Sequence, residues 1–169
     1  TDRMFKIYDE WPEIARNSFE KEFKKLDVND VDHIVFAGMG GSGSIGDTIS
    51  SILSKKDIHV SIIKGYLLPK TVDSKTLIIT TSVSGNTQET LTILENAIRT
   101  NAKVAGFASG GLMEVKCKNE GVFFQKIPFW HSPRASFTSF LYSILNILEP
   151  ILPIKENEII ESINALEKT

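Results

Sequence analysis

Two short stretches combine glycine with hydroxyl side chains at the spacing an anion site needs. The first, Gly38-Met-Gly-Gly-Ser-Gly-Ser-Ile-Gly-Asp47, follows the apolar run VDHIVFA, so it reads as a strand entering a glycine turn and then a helix. Gly40, Gly41, Ser42 and Gly43 would stand where free backbone N–H groups and the helix dipole favour a negative charge. Gly38, Gly40 and Gly43 also satisfy the G-x-G-x-x-G pattern of a dinucleotide site. Such a site wants a carboxylate about 20 positions further on, ending the second strand, to hold the ribose hydroxyls. Here that strand ends Ile62-Ile63-Lys64-Gly65-Tyr66, with no carboxylate in place. The pattern passes and its context fails, which leaves a phosphate cradle of another kind with Ser42 as its most important side chain.

The second stretch, Ser82-Val-Ser-Gly-Asn-Thr-Gln-Glu-Thr90, repeats the arrangement after another strand. Ser82, Ser84 and Thr87 can each donate to a phosphate oxygen, Gly85 permits a tight left-handed turn, and a helix starting near Thr87 adds its own N–H groups. Ordinary helix capping, by Thr87 with Thr90 or Ser84 with Thr87, explains any single hydroxyl here. Three hydroxyls in one turn, matched by a second turn on another strand, favour the phosphate. A hydrogen bond to a charged group contributes roughly 1.5–3 kcal/mol. Several neutral donors can therefore hold a phosphate monoester without Lys or Arg, and the charged end then orients a neutral sugar.

Arg134 follows Pro133 just ahead of a predicted helix, where a cation opposes the dipole. A ligand that compensates is a better account of it than a surface arginine. His131, three residues earlier, is kept as a residue that could line the site, and Trp130 as a cover for the core edge that could touch a sugar. Glu89 complements the dipole in the first turn of its helix. Glu114 and Glu120 read as solvated, and His33 and His59 as packing or surface residues. No carboxylate stands out as a general base.

The elements that must position these turns follow from the apolar periods. Strands are expected over 33–37, 58–63, 76–82, 102–108 and 122–127, and helices over 44–53, from near Thr87 to 98, over 111–119 and over 135–148, the last closed by Pro150 and Pro153. Residues 11–26 place Trp11, Ile14, Phe19 and Phe23 at helical spacing, as one amphipathic opening helix. The tail from Lys155 reads as another, with little after it to pack against. Strands alternating with helices predict an α/β fold: a three-layer α-β-α sandwich, doubly wound, with a five-stranded parallel sheet. In such a sheet ligands bind at the carboxyl ends of the strands, near the switch in strand order. The loops after the first, third and fifth strands are therefore the ones that matter.

A chain of 169 residues is one domain's worth. Its net charge of −2 offers no basic footprint for nucleic acid and no polybasic anchor for a membrane. Cys117 is the only cysteine, which excludes an intrachain disulfide and C-x-x-C motifs. No apolar run approaches the ~20 residues of a membrane span, and the charged start TDRMFKIYDEWPE is no secretory signal. A soluble, cytoplasmic protein is expected.

With both turns in view, the chain resembles the sugar isomerase (SIS) domain family, whose members bind phosphosugars through an S-x-S-G-x-T turn after a parallel strand. GMGGSGSIGD, SVSGNTQETL and SPRAS are similar to the amino-terminal half of the bifunctional phosphoglucose/phosphomannose isomerases, over roughly residues 30 to 150. The resemblance implies that Ser42, Ser82, Ser84 and Thr87, with Gly41 and Gly85 shaping the turns and Gly40 beside them, bind the phosphate of a hexose 6-phosphate. It implies that Arg134 stabilises a cis-enediol(ate), and that no cofactor is needed. It also implies that a glutamate base and a ring-opening histidine lie in a second SIS domain outside these residues. The expected organisation is an opening helix over 1–27, an SIS domain over 28–155, and a closing helix or linker over 156–169. A homodimer, or pairing with the second domain, would cover the two amphipathic helices. A phosphosugar sensor without a reaction is the alternative, and a nucleotide-dependent oxidoreductase a more distant one.

Overall fold

A computed structural model describes residues 2–169. Five parallel strands, β1 (His33–Ala37), β2 (His59–Ile63), β3 (Thr76–Ser82), β4 (Lys103–Ala108) and β5 (Phe123–Lys126), form one sheet in the order β2-β1-β3-β4-β5. β1 and β3 are buried along their whole length because helices cover both faces, which is why HIVFA and TLIITTS carry almost no polar alternation. β2 and β5 lie at the edges and are only partly buried. The predicted three-layer sandwich is the fold observed, with strand limits that differ by at most a residue at each end.

The helices are α1 (Asp2–Asp9), α2 (Trp11–Glu20), α3 (Gly41–Leu53), α4 (Gln88–Ile98), α5 (Gly111–Glu120), α6 (Phe137–Ile147) and α7 (Glu156–Glu167), with a 3-10 turn at Glu149–Ile151. Alternate residues of the central strands divide between two cores. Ile34, Phe36, Leu77 and Ile79 meet α2, α3, α6 and α7, while Val35, Ala37 and Ile78 meet α4 through Ile93 and Ala97. Leu94, Met113 and Cys117 join α4 to α5 on that second face. No helix among the described residues is long and apolar enough to cross a membrane.

Two expectations change. The single opening helix over 11–26 is a pair: α1 precedes it, and α2 stops at Lys21, whose backbone turns extended at φ −66° and ψ 141°. Phe23 therefore reaches the core from an extended segment. Buried Asn146 fixes that departure by donating from Nδ2 to the carbonyls of Phe19 and Lys21, the orphan carbonyls of a helix end. The tail helix does find partners. Ile159 and Ile163 of α7 are buried, Tyr142 Oη pairs with Ser162 Oγ at 2.8 Å, and Arg16 of α2 donates to Asn164 at 3.0 Å and meets Glu167. Because the opening and closing helices cover each other, their amphipathic faces no longer argue for a dimer.

Candidate functional site

The strand order reverses between β1 and β3, which leave the sheet toward helices on opposite faces. Both hydroxyl-rich turns thus open on the crevice where a doubly wound sheet binds its ligands. The first turn is tight. A Cβ on Gly38 would stand 3.0 Å from the Ser42 backbone and 3.1 Å from the Thr81 carbonyl. Only glycine lets the chain leaving β1 pack so closely on β3. Gly40 adopts φ +54° and ψ −125° and carries no capping side chain. α3 begins at Gly41, three residues earlier than predicted, so Ser42 lies inside its first turn and is buried. The Ser42 and Gly43 amides donate to Met39 O at 3.1 and 3.3 Å, which closes the turn.

The second turn is held from within and from outside. Ser82 Oγ accepts the Gly85 N–H at 3.1 Å and pairs with Thr87 Oγ1 at 2.9 Å. Ser84 is exposed and its Oγ accepts the Asn86 N–H at 3.2 Å. Gly85 sits at φ +75°, where a Cβ would come within 1.9 Å of the Gly110 carbonyl. Its own carbonyl accepts the Met113 N–H, and Asn86 Oδ1 accepts that of Leu112, both at 2.9 Å, so the turn is stapled to the start of α5. Thr87 is the N-cap residue of α4 by position, yet it makes no side-chain capping bond. Its hydroxyl faces Ser82 instead, so the capping explanation of this residue fails.

Arg134 lies in the turn that precedes α6, ahead of the helix as expected; α6 itself starts two residues later than predicted, at Phe137, whose N–H donates to Arg134 O at 3.3 Å. The turn is fixed by Trp11 Nε1 donating to Ala135 O at 3.0 Å and by Ser136 Oγ, which accepts the Trp130 N–H at 2.8 Å. Pro133 O lies 3.7 Å from the position of a Cβ on Gly41, so this third loop rests against the first turn, and Arg134, the next residue, is exposed. His131, at φ +54°, lines a different cavity with Lys6, Glu10 and Phe129 of the α1 side. Trp130 lies there too, half exposed. The structure does not gather these two with the hydroxyls.

Sequence reasoning passed over two residues. Asn86 was read only as part of the turn, because its partner Leu112 lies 26 residues further on. Lys64 was read only as a missing carboxylate. Its Cε stands 3.2 Å from the position of a Cβ on Gly43, and its Nζ pairs with Asp47 of α3 at 2.8 Å, so a cation flanks the first turn. Glu114 is engaged by Lys118 and Lys126; the Lys118 bond, ahead of the field of Lys126, holds its carboxyl below the usual range. The crevice itself is open. The apolar cavity of about 280 Å³ lies elsewhere, between α2 and the loop 127–136.

Comparison with known proteins places this geometry. The chain superposes on the crystal structure of glucosamine-6-phosphate deaminase from Thermotoga maritima with a TM-score of 0.72 at 17% identity, over 98% of this chain and 54% of that one. At that identity the likeness shows a shared fold. In sequence, the chain is 33% identical over 174 residues to the bifunctional phosphoglucose/phosphomannose isomerase of Caldicellulosiruptor bescii, covering 96% of this chain and 50% of that protein. The Aquifex aeolicus protein of the same name is 37% identical over 134 residues, 78% of this chain and 42% of that one. The chain is a relative of the bifunctional phosphoglucose/phosphomannose isomerases, and it spans half or less of these two relatives' length. It matches no family model.

Proposed function

We propose that the chain is the phosphosugar-binding domain of an aldose–ketose isomerase that interconverts glucose 6-phosphate or mannose 6-phosphate with fructose 6-phosphate. The observation that carries this reading is the convergence of three loops on one crevice: Gly41 and Ser42 after β1, Ser82 to Thr87 after β3, and Arg134 after β5. The phosphate is held by the hydroxyls of Ser42, Ser82, Ser84 and Thr87, by the Gly41 N–H at the start of α3 and by the N–H groups that open α4. Those helix starts carry no capping side chain, so their dipoles face the ligand. Anchored by its phosphate, the sugar extends along the rim toward Arg134.

Isomerisation removes the proton from C2 of the open-chain aldose and returns one to C1, so negative charge develops on the C1 and C2 oxygens of a cis-enediol(ate). The Arg134 guanidinium, exposed and always charged, answers that charge as an oxyanion hole does. The transfer also needs a carboxylate base near C1 and C2. Asp47 is paired with Lys64 and Glu114 with two lysines, while Glu89 sits in the first turn of α4. None of them is set for that task. The base and the ring-opening acid are assigned to a second domain of the same kind, docked as a neighbour or supplied by a partner, in the cytoplasm where hexose phosphates turn over.

Calorimetric titration of residues 1–169 with fructose 6-phosphate tests the reading. Saturable binding that fructose cannot match, with no measurable isomerisation by the chain alone, is the expected result. Equal affinity for fructose, or tighter binding of a nicotinamide dinucleotide, overturns it. In a longer protein that isomerises, Arg134→Lys should lower kcat and leave KM within a few-fold, because the guanidinium acts on charge absent from the bound substrate.

A further inference from the structure

α5 has no cap of its own. Its N-cap residue is Gly110, which brings no side chain to the N–H groups that a helix leaves free at its start. The second turn satisfies them instead. Asn86 Oδ1 accepts the Leu112 N–H and the Gly85 carbonyl accepts the Met113 N–H, both at 2.9 Å. The approach is close enough that a Cβ on Gly111 would stand 2.5 Å from the Ser84 carbonyl and 2.7 Å from Asn86 Oδ1. A capping side chain ordinarily belongs to the residue just ahead of its helix; this one comes from 26 residues upstream of Leu112, out of the phosphate turn itself. Asn86 is also tied to that turn by its backbone, whose N–H donates to Ser84 Oγ at 3.2 Å, and Thr87 follows it at the head of α4. α5 therefore grips the turn at the residue that joins Ser84 to Thr87.

We propose that Asn86 is a positioning residue of the phosphosugar site: by capping α5 it keeps the Ser84 and Thr87 hydroxyls in the one arrangement that serves a single phosphate. The inference rests on the phosphosugar reading given above, and it adds a role for Asn86 and α5 that the hydroxyls do not supply. Groups that bind a ligand must be held within about 0.5 Å of the productive geometry. Ser84 and Asn86 are exposed and Thr87 is half-buried, so packing does little to hold them. The bond from Asn86 to α5 does. It also makes the two ends interdependent: a phosphate on the turn favours the capped start of α5, and opening of that start releases the turn.

Calorimetric titration with fructose 6-phosphate and amide exchange followed by ¹H–¹⁵N NMR test the role together. Asn86→Ala removes an exposed side chain, so the chain folds, and it should raise the Kd about fivefold or more, the value for a turn that is competent one-fifth of the time. In the parent chain the Leu112 and Met113 amides exchange when the turn and α5 part. Saturation at about 100 times Kd should slow them by ~10-fold or more, with a ceiling of about 100-fold. The amides at the end of α7, which fray without the site, should not move. A cap with no part in binding would leave the Leu112 and Met113 rates unchanged by the ligand. Asn86→Asp keeps the acceptor, so it should retain the Leu112 protection of the free chain that Asn86→Ala loses. A Kd for Asn86→Ala within twofold of the parent, or no slowing by ligand at Leu112 and Met113, overturns this inference alone. A parent chain that binds no fructose 6-phosphate overturns the phosphosugar reading and this inference with it.

Discussion

Replacing Ser84 by alanine separates what the second turn does for a phosphate from what it does for the fold. Ser84 is exposed, and the one hydrogen bond of its hydroxyl among the described residues is accepted from the Asn86 N–H at 3.2 Å. Asn86 is exposed as well, so its amide turns to water when the hydroxyl is gone. The unfolding free energy should therefore change by about 0.5 kcal/mol or less. A hydroxyl donating to a phosphate dianion contributes roughly 1.5–3 kcal/mol, a ~10- to 150-fold rise in Kd for fructose 6-phosphate on its removal. Ser82→Ala should behave differently. Ser82 is 1% exposed and serves both Gly85 and Thr87, so its loss should cost about 1–2 kcal/mol of stability besides affinity. Calorimetric titration and urea unfolding on the same samples read the two effects separately. If Ser84→Ala binds fructose 6-phosphate within twofold of the parent, the turn holds no phosphate and the assignment of the site fails.

The other predictions test the frame. Gly85→Ala drives a methyl into the Gly110 carbonyl at a φ of +75°, so it should lose about 3 kcal/mol or more in urea unfolding and phosphosugar binding with it. His33 is buried against Ser61, with its ring tilted 4.7 Å from that of His59; burial, then the field of His59, lowers its pKa below the usual 6.5. Because the unfolded chain then binds the proton more readily, the stability His33 contributes is complete above about pH 6.5 and is lost as the pH falls through its folded value. His33→Gln should shrink the drop in Tm between pH 7.5 and 5, and an unchanged drop would refute the assignment. Burial pushes the Cys117 thiol up to about 11, so a disulfide reagent at pH 8 should label it only at the rate of unfolding.

What the sequence made legible was local. HIVFA and TLIITTS read as central strands because both faces are covered, and their polar residues, His33, Thr76 and Thr80 to Ser82, stand at the ends of unbroken apolar runs. The two turns read as phosphate chemistry because glycine and hydroxyl residues act within six positions of one another. What it hid was long-range. The spacing of Trp11, Ile14, Phe19 and Phe23 runs on past the point where Asn146, more than a hundred residues away, ends α2. α7 looked unpartnered because its partners, α2 and α6, precede it in the chain. The contact of Pro133 with Gly41 and the approach of Lys64 to Gly43 join loops from different strands, and no period in one segment encodes them.

The geometry of the second turn also ranks hydroxyls that the sequence treated as equivalent. A hydroxyl has one proton to donate and two lone pairs to accept. Ser82 Oγ accepts from Gly85 and shares a single proton with Thr87 Oγ1, so of those two protons one joins the side chains and one is left for a ligand. Ser84 uses its hydroxyl only as an acceptor in the turn, which leaves its proton free for a ligand. Exposure follows the same order, with Ser82 buried, Thr87 half-buried and Ser84 open. In the proposed site Ser82 therefore stands behind the turn, fixing Gly85 and Thr87, and the more exposed Thr87 and Ser84 would present the protons. A turn built this way holds its donors in place before the phosphate arrives, so that little ordering is left to oppose binding.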